Sequence, residues 1–292
     1  MKTWAKTLLS MLVYIIFSVT TAQAEPEKTV TWAILDWPPI HILEGDHKGE
    51  GIFDAIMALL ERELPEYTHK ELVANPPRFW GYIKKGDNFC HAASVVTEER
   101  LKHAYFSIPI SFGPSNSVIM KKDTAESLGL SGSVSLTTLL KTPDLTGGIK
   151  PDRSYGKIVD SILAENRREE NIYAQRSSDY GLSLFQMLLY GRLDYILEVP
   201  VMVAYNEVIL NKQGECVSLE IEENDPFIFG CVACPKNEWG RNMIDRINAI
   251  IKTCRPTEEY RAIMEMWQTE EGIERVRRGY DTVFMKKNEV DK

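Results

Sequence analysis

This sequence has little positive charge to spare. Lys and Arg number 34 against 42 Asp and Glu, a formal net charge of −8, so the basic face that a phosphate backbone requires is missing and nucleic acid is excluded as a partner. Metal-site patterns are also scarce. Cys231-Val-Ala-Cys234 has the C-x-x-C spacing, but there is no second such pair and no H-x-x-x-H to complete a zinc site. The pair lies in the apolar, strand-like run 227–234 instead of opening a helix, which argues against a redox motif. No Gly-rich phosphate loop and no nucleophile elbow occur, and His41, His47, His69, His91 and His103 form no cluster or triad pattern. Metals and cofactors are therefore not expected, and enzymatic chemistry has little to stand on. Long hydrophobic runs are absent too: residues 8–19 fall well short of the ~20 needed to span a bilayer.

That short run has its own meaning. Lys2 and Lys6 precede it, and Ala22-Gln23-Ala24 follows with small residues at the positions a signal peptidase reads. The pattern predicts a cleaved signal peptide over residues 1–24, export to the periplasm, and a mature chain starting at Glu25. No cysteine follows the run, so a lipid anchor is not expected. The five cysteines (Cys90, Cys216, Cys231, Cys234, Cys254) then mature in an oxidising compartment, where an odd count leaves at least one unpaired.

Hydrophobic periodicity alternates between strand and helix along the rest of the chain, which predicts an α/β protein. Strands are expected over 29–35, 89–96, 117–120, 146–150, 193–197 and 227–234. Helices are expected where Phe53, Ile56, Met57, Leu60 and Leu64, then Tyr155, Ile158, Val159 and Ile162, then Leu182, Phe185, Leu188 and Leu189, recur at helical spacing. Met243, Ile244, Ile247 and Ile251 mark another helix, and Tyr260, Ile263 and Trp267 a C-terminal one. Thr97 before Glu98-Glu99 is a good helix opening: the threonine can cap, and the acids sit at the positive end of the dipole. The polar segment 123–143 reads as passage into a second lobe.

Four segments then carry a resemblance. They are Trp37-Pro38-Pro39 with Gly51-Ile52-Phe53-Asp54; Arg78-Phe79-Trp80 leading to Lys85-Gly86-Asp87; Thr97-Glu98-Glu99-Arg100 with Phe106-Ser107-Ile108-Pro109; and Gly191-Arg192-Leu193-Asp194. In order and spacing, from about residue 30 to 267, they resemble the extracellular solute-binding proteins of family 3, which commonly serve amino-acid importers. The resemblance implies a two-lobed periplasmic-binding-protein type 2 fold with two crossover strands and a ligand cleft between the lobes. It places the first lobe at 25–118 and 226–292 and the second at 119–225. The implied function is capture of a small polar, carboxylate-bearing ligand by hinge closure, by a monomer serving an inner-membrane transporter. Alternatives are a sensor that presents its closed form to a membrane receptor, and a small periplasmic dehydratase-like enzyme.

The resemblance also assigns residues. Arg100 matches the arginine that holds the ligand carboxylate, chemistry that suits a guanidinium fork; a pairing with Glu98 or Glu99 is the plainer alternative. Trp37 matches the aromatic platform under the ligand. Trp80 falls on the first-lobe cleft wall, while Phe79, adjacent on the same helix, must face elsewhere. Arg153, Ser154 and Tyr155 match the second-lobe turn whose N–H groups can bind an anion. Two positions depart from the pattern. The usual hydroxyl five residues before Arg100 is replaced by Val95, leaving Ser94 as substitute; the usual aspartate for a ligand ammonium is replaced by Val199, leaving Glu198. Finally, the resemblance puts the strand of Cys90 beside that of Cys231 and Cys234. It implies a Cys90–Cys234 disulfide, with Cys90–Cys231 as the alternative.

Overall fold

A computed structural model describes residues 28–151, 153–168, 170–176 and 181–288. The expected signal peptide, residues 1–24, lies outside them, as does Asp152. The chain runs through β1 (Thr29–Ile34), α1 (Ile52–Glu63), β2 (Thr68–Val73), α2 (Pro76–Lys85), β3 (Phe89–Ser94), the single turn α3 (Glu98–Leu101), β4 (Ala104–Phe106) and β5 (Ser111–Pro114). It continues through β6 (Ser117–Lys121), α4 (Lys122–Ser127), β7 (Ser133–Val134), α5 (Leu136–Leu139), β8 (Gly147–Ile149), α6 (Lys157–Asn166), β9 (Ile172–Ala174), α7 (Leu182–Leu189), β10 (Tyr195–Glu198), α8 (Pro200–Leu210) and β11 (Cys216–Ile221). It returns as β12 (Phe227–Pro235), α9 (Glu238–Cys254), α10 (Glu258–Glu265) and α11 (Glu270–Thr282).

These elements build two six-stranded sheets, one per lobe. The first has order β2-β1-β3-β12-β4, with β5 also on β12; the second has order β7-β11-β6-β10-β8-β9. β12 is the returning strand, antiparallel to β3, β4 and β5. The chain thus crosses between lobes twice, after β5 and before β12. The crossings lie side by side: Ser115 N donates to Pro226 O (3.1 Å), and Asn224 Nδ2 to Asn116 O (3.5 Å).

Each sheet is covered on both faces, so each lobe holds two apolar clusters. In the first lobe Val30 and Trp32 of β1 turn to Ile56, Leu60 and Ile247, while Ala33 turns to Phe79 and Ile83. In the second, Val118 and Leu197 turn to Val159 and Leu163, while Ile196 meets Phe185 and Leu188. Full burial of each such side chain contributes about 1.5–3 kcal/mol. α8 is an exception to the division: Val201 and Met202 at its start pack into the first lobe's core, and Tyr205 meets the Trp267 ring edge-on, centroids 5.0 Å apart.

Caps set the boundaries near the cleft. Asn75 accepts from Arg78 N (3.1 Å) ahead of α2, and Gly86 ends that helix at a left-handed φ of 83°. Thr97 Oγ1 accepts from Arg100 N (3.2 Å). Gly51 opens α1 because a Cβ there would meet Asp54 Oδ2 at 2.6 Å and Ile40 O at 2.7 Å. Cys90 and Cys234 are joined by a disulfide, 144 residues apart in sequence. Cys234 lies in the same cluster as Cys90, whereas Cys231 lies in the cluster on the sheet's other face.

Four elements depart from the sequence expectations. β2 (THKELV) is polar because it is an edge strand, where Lys and Glu discourage further pairing. The polar segment 123–143 is not plain passage, since it holds α4, β7 and α5. α8 shows no stripe because its start packs against both lobes, with Val201 and Met202 in the first lobe's core and Val203 in the second's, while Val208 and Ile209 near its end are exposed. The helix at Tyr260 is not the last one: α11 follows, with Val276 and Tyr280 as its buried large apolar side chains amid seven charged ones.

Candidate functional site

The two arginines expected at the site, one on each lobe, stand in opposite circumstances. Arg153 sits in the loop between β8 and α6. Its Nη1 donates to both carboxylate oxygens of Glu198 (2.7 and 2.9 Å), and its Nη2 donates to Asn116 Oδ1 (2.7 Å). Its Cζ lies 4.5 Å from the centroid of the Tyr155 ring and 5.9 Å from that of Trp37, which belongs to the first lobe. Burial disfavours its charge, but Glu198 outweighs burial and holds the Arg153 pKa above its ordinary value. Glu198 is only 3% exposed at the end of β10, and its Oε1 also accepts from Val199 N (2.9 Å). Tyr155 is fixed from both ends: its hydroxyl accepts from Lys150 N (2.7 Å), and its carbonyl accepts from Asn116 Nδ2 (3.0 Å). Burial pushes the Tyr155 hydroxyl up to about 12, so it stays neutral.

Arg100 has no such company. Its Nη1 donates to Val95 O (2.7 Å), and its Cζ stands 4.9 Å from the Trp80 ring centroid. Glu99 is taken by Lys102 (2.7 Å) and His103 (3.5 Å), and among the described residues no carboxylate pairs with Arg100. Burial lowers its pKa, the response of a cation short of counter-charge. Trp80 is half-buried, with its Nε1 enclosed and making no hydrogen bond among the described residues.

Ser94, named as a site residue from the sequence, belongs to a polar seam whose other member, His91, was not. Ser94 Oγ and His91 Nδ1 share a hydrogen bond of 2.8 Å, and the His91 ring stacks on Phe79, centroids 4.1 Å apart. Burial, with the nearby charges of His41 and Arg100, pushes His91 down to about 3, so its imidazole is neutral. His41 is itself buried and donates from Nδ1 to Asp54 Oδ1 (2.7 Å). Desolvation raises the Asp54 pKa, but the hydrogen bonds from His41, Ile42 and Gly51 outweigh it and leave Asp54 below its ordinary value. His41 also pairs through its backbone with Trp37 (3.1 Å). Contacts therefore link Arg153, Trp37, His41 and Asp54 in one chain, and Arg100, Trp80, Phe79, His91 and Ser94 in another.

The structure thus gathers Trp37, Arg153, Tyr155 and Glu198 into one cluster, and Trp80, Ser94 and Arg100 into another. Ser154 joins neither: its Oγ donates to Asp160 Oδ2 (2.5 Å) and accepts from Gly156 N (3.1 Å), while Tyr155 N donates to Asp160 Oδ1 (2.8 Å). Asp160, from within α6, takes donors that the sequence reading offered to a ligand anion. Asn116 was missed as well. Its signal is a polar break, Ser115-Asn116, between two apolar strands at the crossover.

No protein-family model matches the chain, and no curated protein matches it in sequence. Solved structures do match. An ancestral cationic amino acid solute-binding protein, also described as the precursor of cyclohexadienyl dehydratase, superposes with a TM-score of 0.64 at 16% identity, covering 83% of this chain and 96% of that one. A periplasmic binding protein of Salmonella typhimurium with high arginine specificity gives 0.57 at 16% identity, over 83% of this chain and all of the other (100%). A histidine kinase sensor domain with similarity to periplasmic binding proteins gives 0.59 at 16% identity, over 82% and 95%. At these identities the likeness is one of fold, and that fold is the two-lobed α/β architecture of type 2 periplasmic binding proteins, with two crossover strands and a ligand cleft between the lobes.

Proposed function

We propose that this chain is an exported, monomeric solute-binding protein, a divergent relative of family 3, which closes its lobes on a small polar carboxylate. It then presents the closed form to an inner-membrane importer. The lobes divide at 25–118 with 226–292, and 119–225; the two sheets and the paired crossings support this two-way division, with β6, wholly in the second sheet, beginning at Ser117 just ahead of the first boundary. One observation carries the reading: Arg100, a half-buried guanidinium on the face of Trp80, with a single backbone carbonyl as acceptor. Such a group is costly to bury unpaired, and a ligand carboxylate supplies two parallel acceptors. The reading is one of binding; burial holds His91 neutral, with a pKa of about 3, and makes it a poor general base near neutral pH.

Calorimetry of the native protein against a panel of small carboxylates tests this. At least one should bind, Arg100→Ala should weaken it by about 2–5 kcal/mol, and saturation should shrink the particle in small-angle scattering. Binding that ignores Arg100→Ala would overturn the assignment. A second reading, a sensor that presents its closed form to a membrane receptor, is favoured by the likeness to the histidine kinase sensor domain. Pull-down of the ligand-loaded protein on inner-membrane vesicles, followed by identification of what it holds, separates importer from receptor.

A further inference from the structure

Around the Arg153 guanidinium the two lobes and the crossover between them assemble a receptor for a planar cation. A buried carboxylate, Glu198, accepts twice from Nη1, an amide oxygen, Asn116 Oδ1, accepts from Nη2, and two aromatic rings, Tyr155 and Trp37, lie at 4.5 and 5.9 Å from Cζ. The cation that fills it belongs to the chain itself.

We infer that Arg153 is a built-in occupant of the cleft's cation subsite, and that it sets specificity by excluding ligands that carry an ammonium or guanidinium group beside their carboxylate. The inference rests on the carboxylate reading of Arg100 and narrows it from amino-acid-like molecules to carboxylates without a cationic group. The physical argument is one of charge and space. Among the described residues Glu198 is the buried acid beside Arg153, and its charge is already neutralised at hydrogen-bond distance. An incoming ammonium would meet the Arg153 cation and have to displace it. Displacement would break three charge-assisted bonds, which are about twice as strong as neutral ones, and strip the guanidinium from two rings that favour it. An anionic or neutral group meets no such barrier. Arg153 also ties the subsite to the hinge, because Asn116 lies in the first crossover and its carbonyl accepts from Asn224 of the second.

Two arms test this. In the first, native protein is titrated by calorimetry with matched pairs that differ only in the α-ammonium group: L-glutamate and glutarate, L-phenylalanine and 3-phenylpropionate. The ammonium-free member is expected to bind at least as tightly in every pair that binds; a tenfold or greater preference for the ammonium-bearing member overturns the inference. If no member of any pair binds, the carboxylate reading fails, and the second arm alone decides. That arm uses methylguanidinium, which has no carboxylate and needs nothing from Arg100. Arg153→Ala vacates the subsite. Methylguanidinium at ten times its Kd should raise the variant's Tm by about 3 °C, and should leave native protein and the Arg153→Ala/Glu198→Gln double variant unmoved. No rise in Arg153→Ala, or an equal rise in all three proteins, overturns the inference. Should Arg153→Ala not fold alone, recovery of folded protein on refolding with methylguanidinium supports the inference, and no recovery counts against it.

Discussion

Arg100 and Arg153 are the same side chain on two different lobes, and their surroundings differ. Arg100 has one aromatic face and one carbonyl, both from the first lobe; Arg153 has a carboxylate and an aromatic face from the second lobe, an amide from the crossover, and a further aromatic face, Trp37, from the first. Electrostatics turns this into a division of labour. A buried cation without counter-charge is a binding group waiting for an anion, whereas a saturated one is part of the scaffold. Residue type alone does not tell a ligand-binding arginine from a structural one; the acceptors around it do.

The largest test of the contrast between lobes is covalent. Only the first lobe is tied by a disulfide among the described residues, and Cys90–Cys234 spans 144 residues. Replacing both cysteines with serine should cost up to about 5 kcal/mol on the chain-entropy model. Urea denaturation followed by first-lobe tryptophan fluorescence should then show a clearly lowered midpoint; an unchanged midpoint would mean that the bridge adds nothing to this lobe.

Next come the arginines themselves. Arg153→Ala strands Glu198 in a buried site and should lower stability by about 3–5 kcal/mol. Arg100→Ala strands no partner and should change the stability of ligand-free protein by less than about 1 kcal/mol. Equal losses in thermal denaturation would erase the distinction between the two walls.

The lobes should also differ in their response to acid. Glu223, on the return crossing, accepts from Ser135 Oγ (2.8 Å), Leu136 N (3.0 Å) and Thr137 N (3.1 Å) at the start of α5 in the second lobe. Burial opposes its charge, but these bonds outweigh it and hold its pKa down to about 2 against an ordinary 4.5. A carboxylate with a depressed folded pKa adds stability that is fully present above the unfolded pKa and is lost as pH falls through the folded one. Glu223→Gln should therefore cost about 2–3 kcal/mol at pH 7, with the deficit vanishing between pH 4.5 and 2 in denaturation series.

His91 places the first lobe's acid response at a higher pH. The unfolded chain takes up a proton near 6.5, while the folded chain refuses it until about 3, so stability falls as pH drops below 6.5. His91→Gln removes this term. Its stability between pH 6.5 and 5.5 should fall less than that of native protein, by about 1 kcal/mol; parallel curves would show that His91 does not titrate in this window.

How much of this was legible in the sequence depends on the range of the interactions involved. Helices α1, α7 and α9 and strands β1, β3 and β12 were legible because their apolar residues repeat at 3.6 or 2.0 and their caps are local, as at Thr97. β2, α8 and α11 were not. Their patterns answer to edge position, to packing against both lobes, and to a narrow contact stripe, none of which is encoded nearby. The sequence also supplied the motif order that resembles family 3, and with it both arginines and Glu198. It had no means of showing that Arg153 would take Glu198 and Asn116, at sequence separations of 45 and 37, or that Asp160 would take Ser154. For Cys90 it left two partners open. Local periodicity determined the elements and the candidates. Tertiary structure decided their partners, because a buried charge or thiol pairs with whatever the fold brings within a few ångströms, whichever part of the chain it comes from.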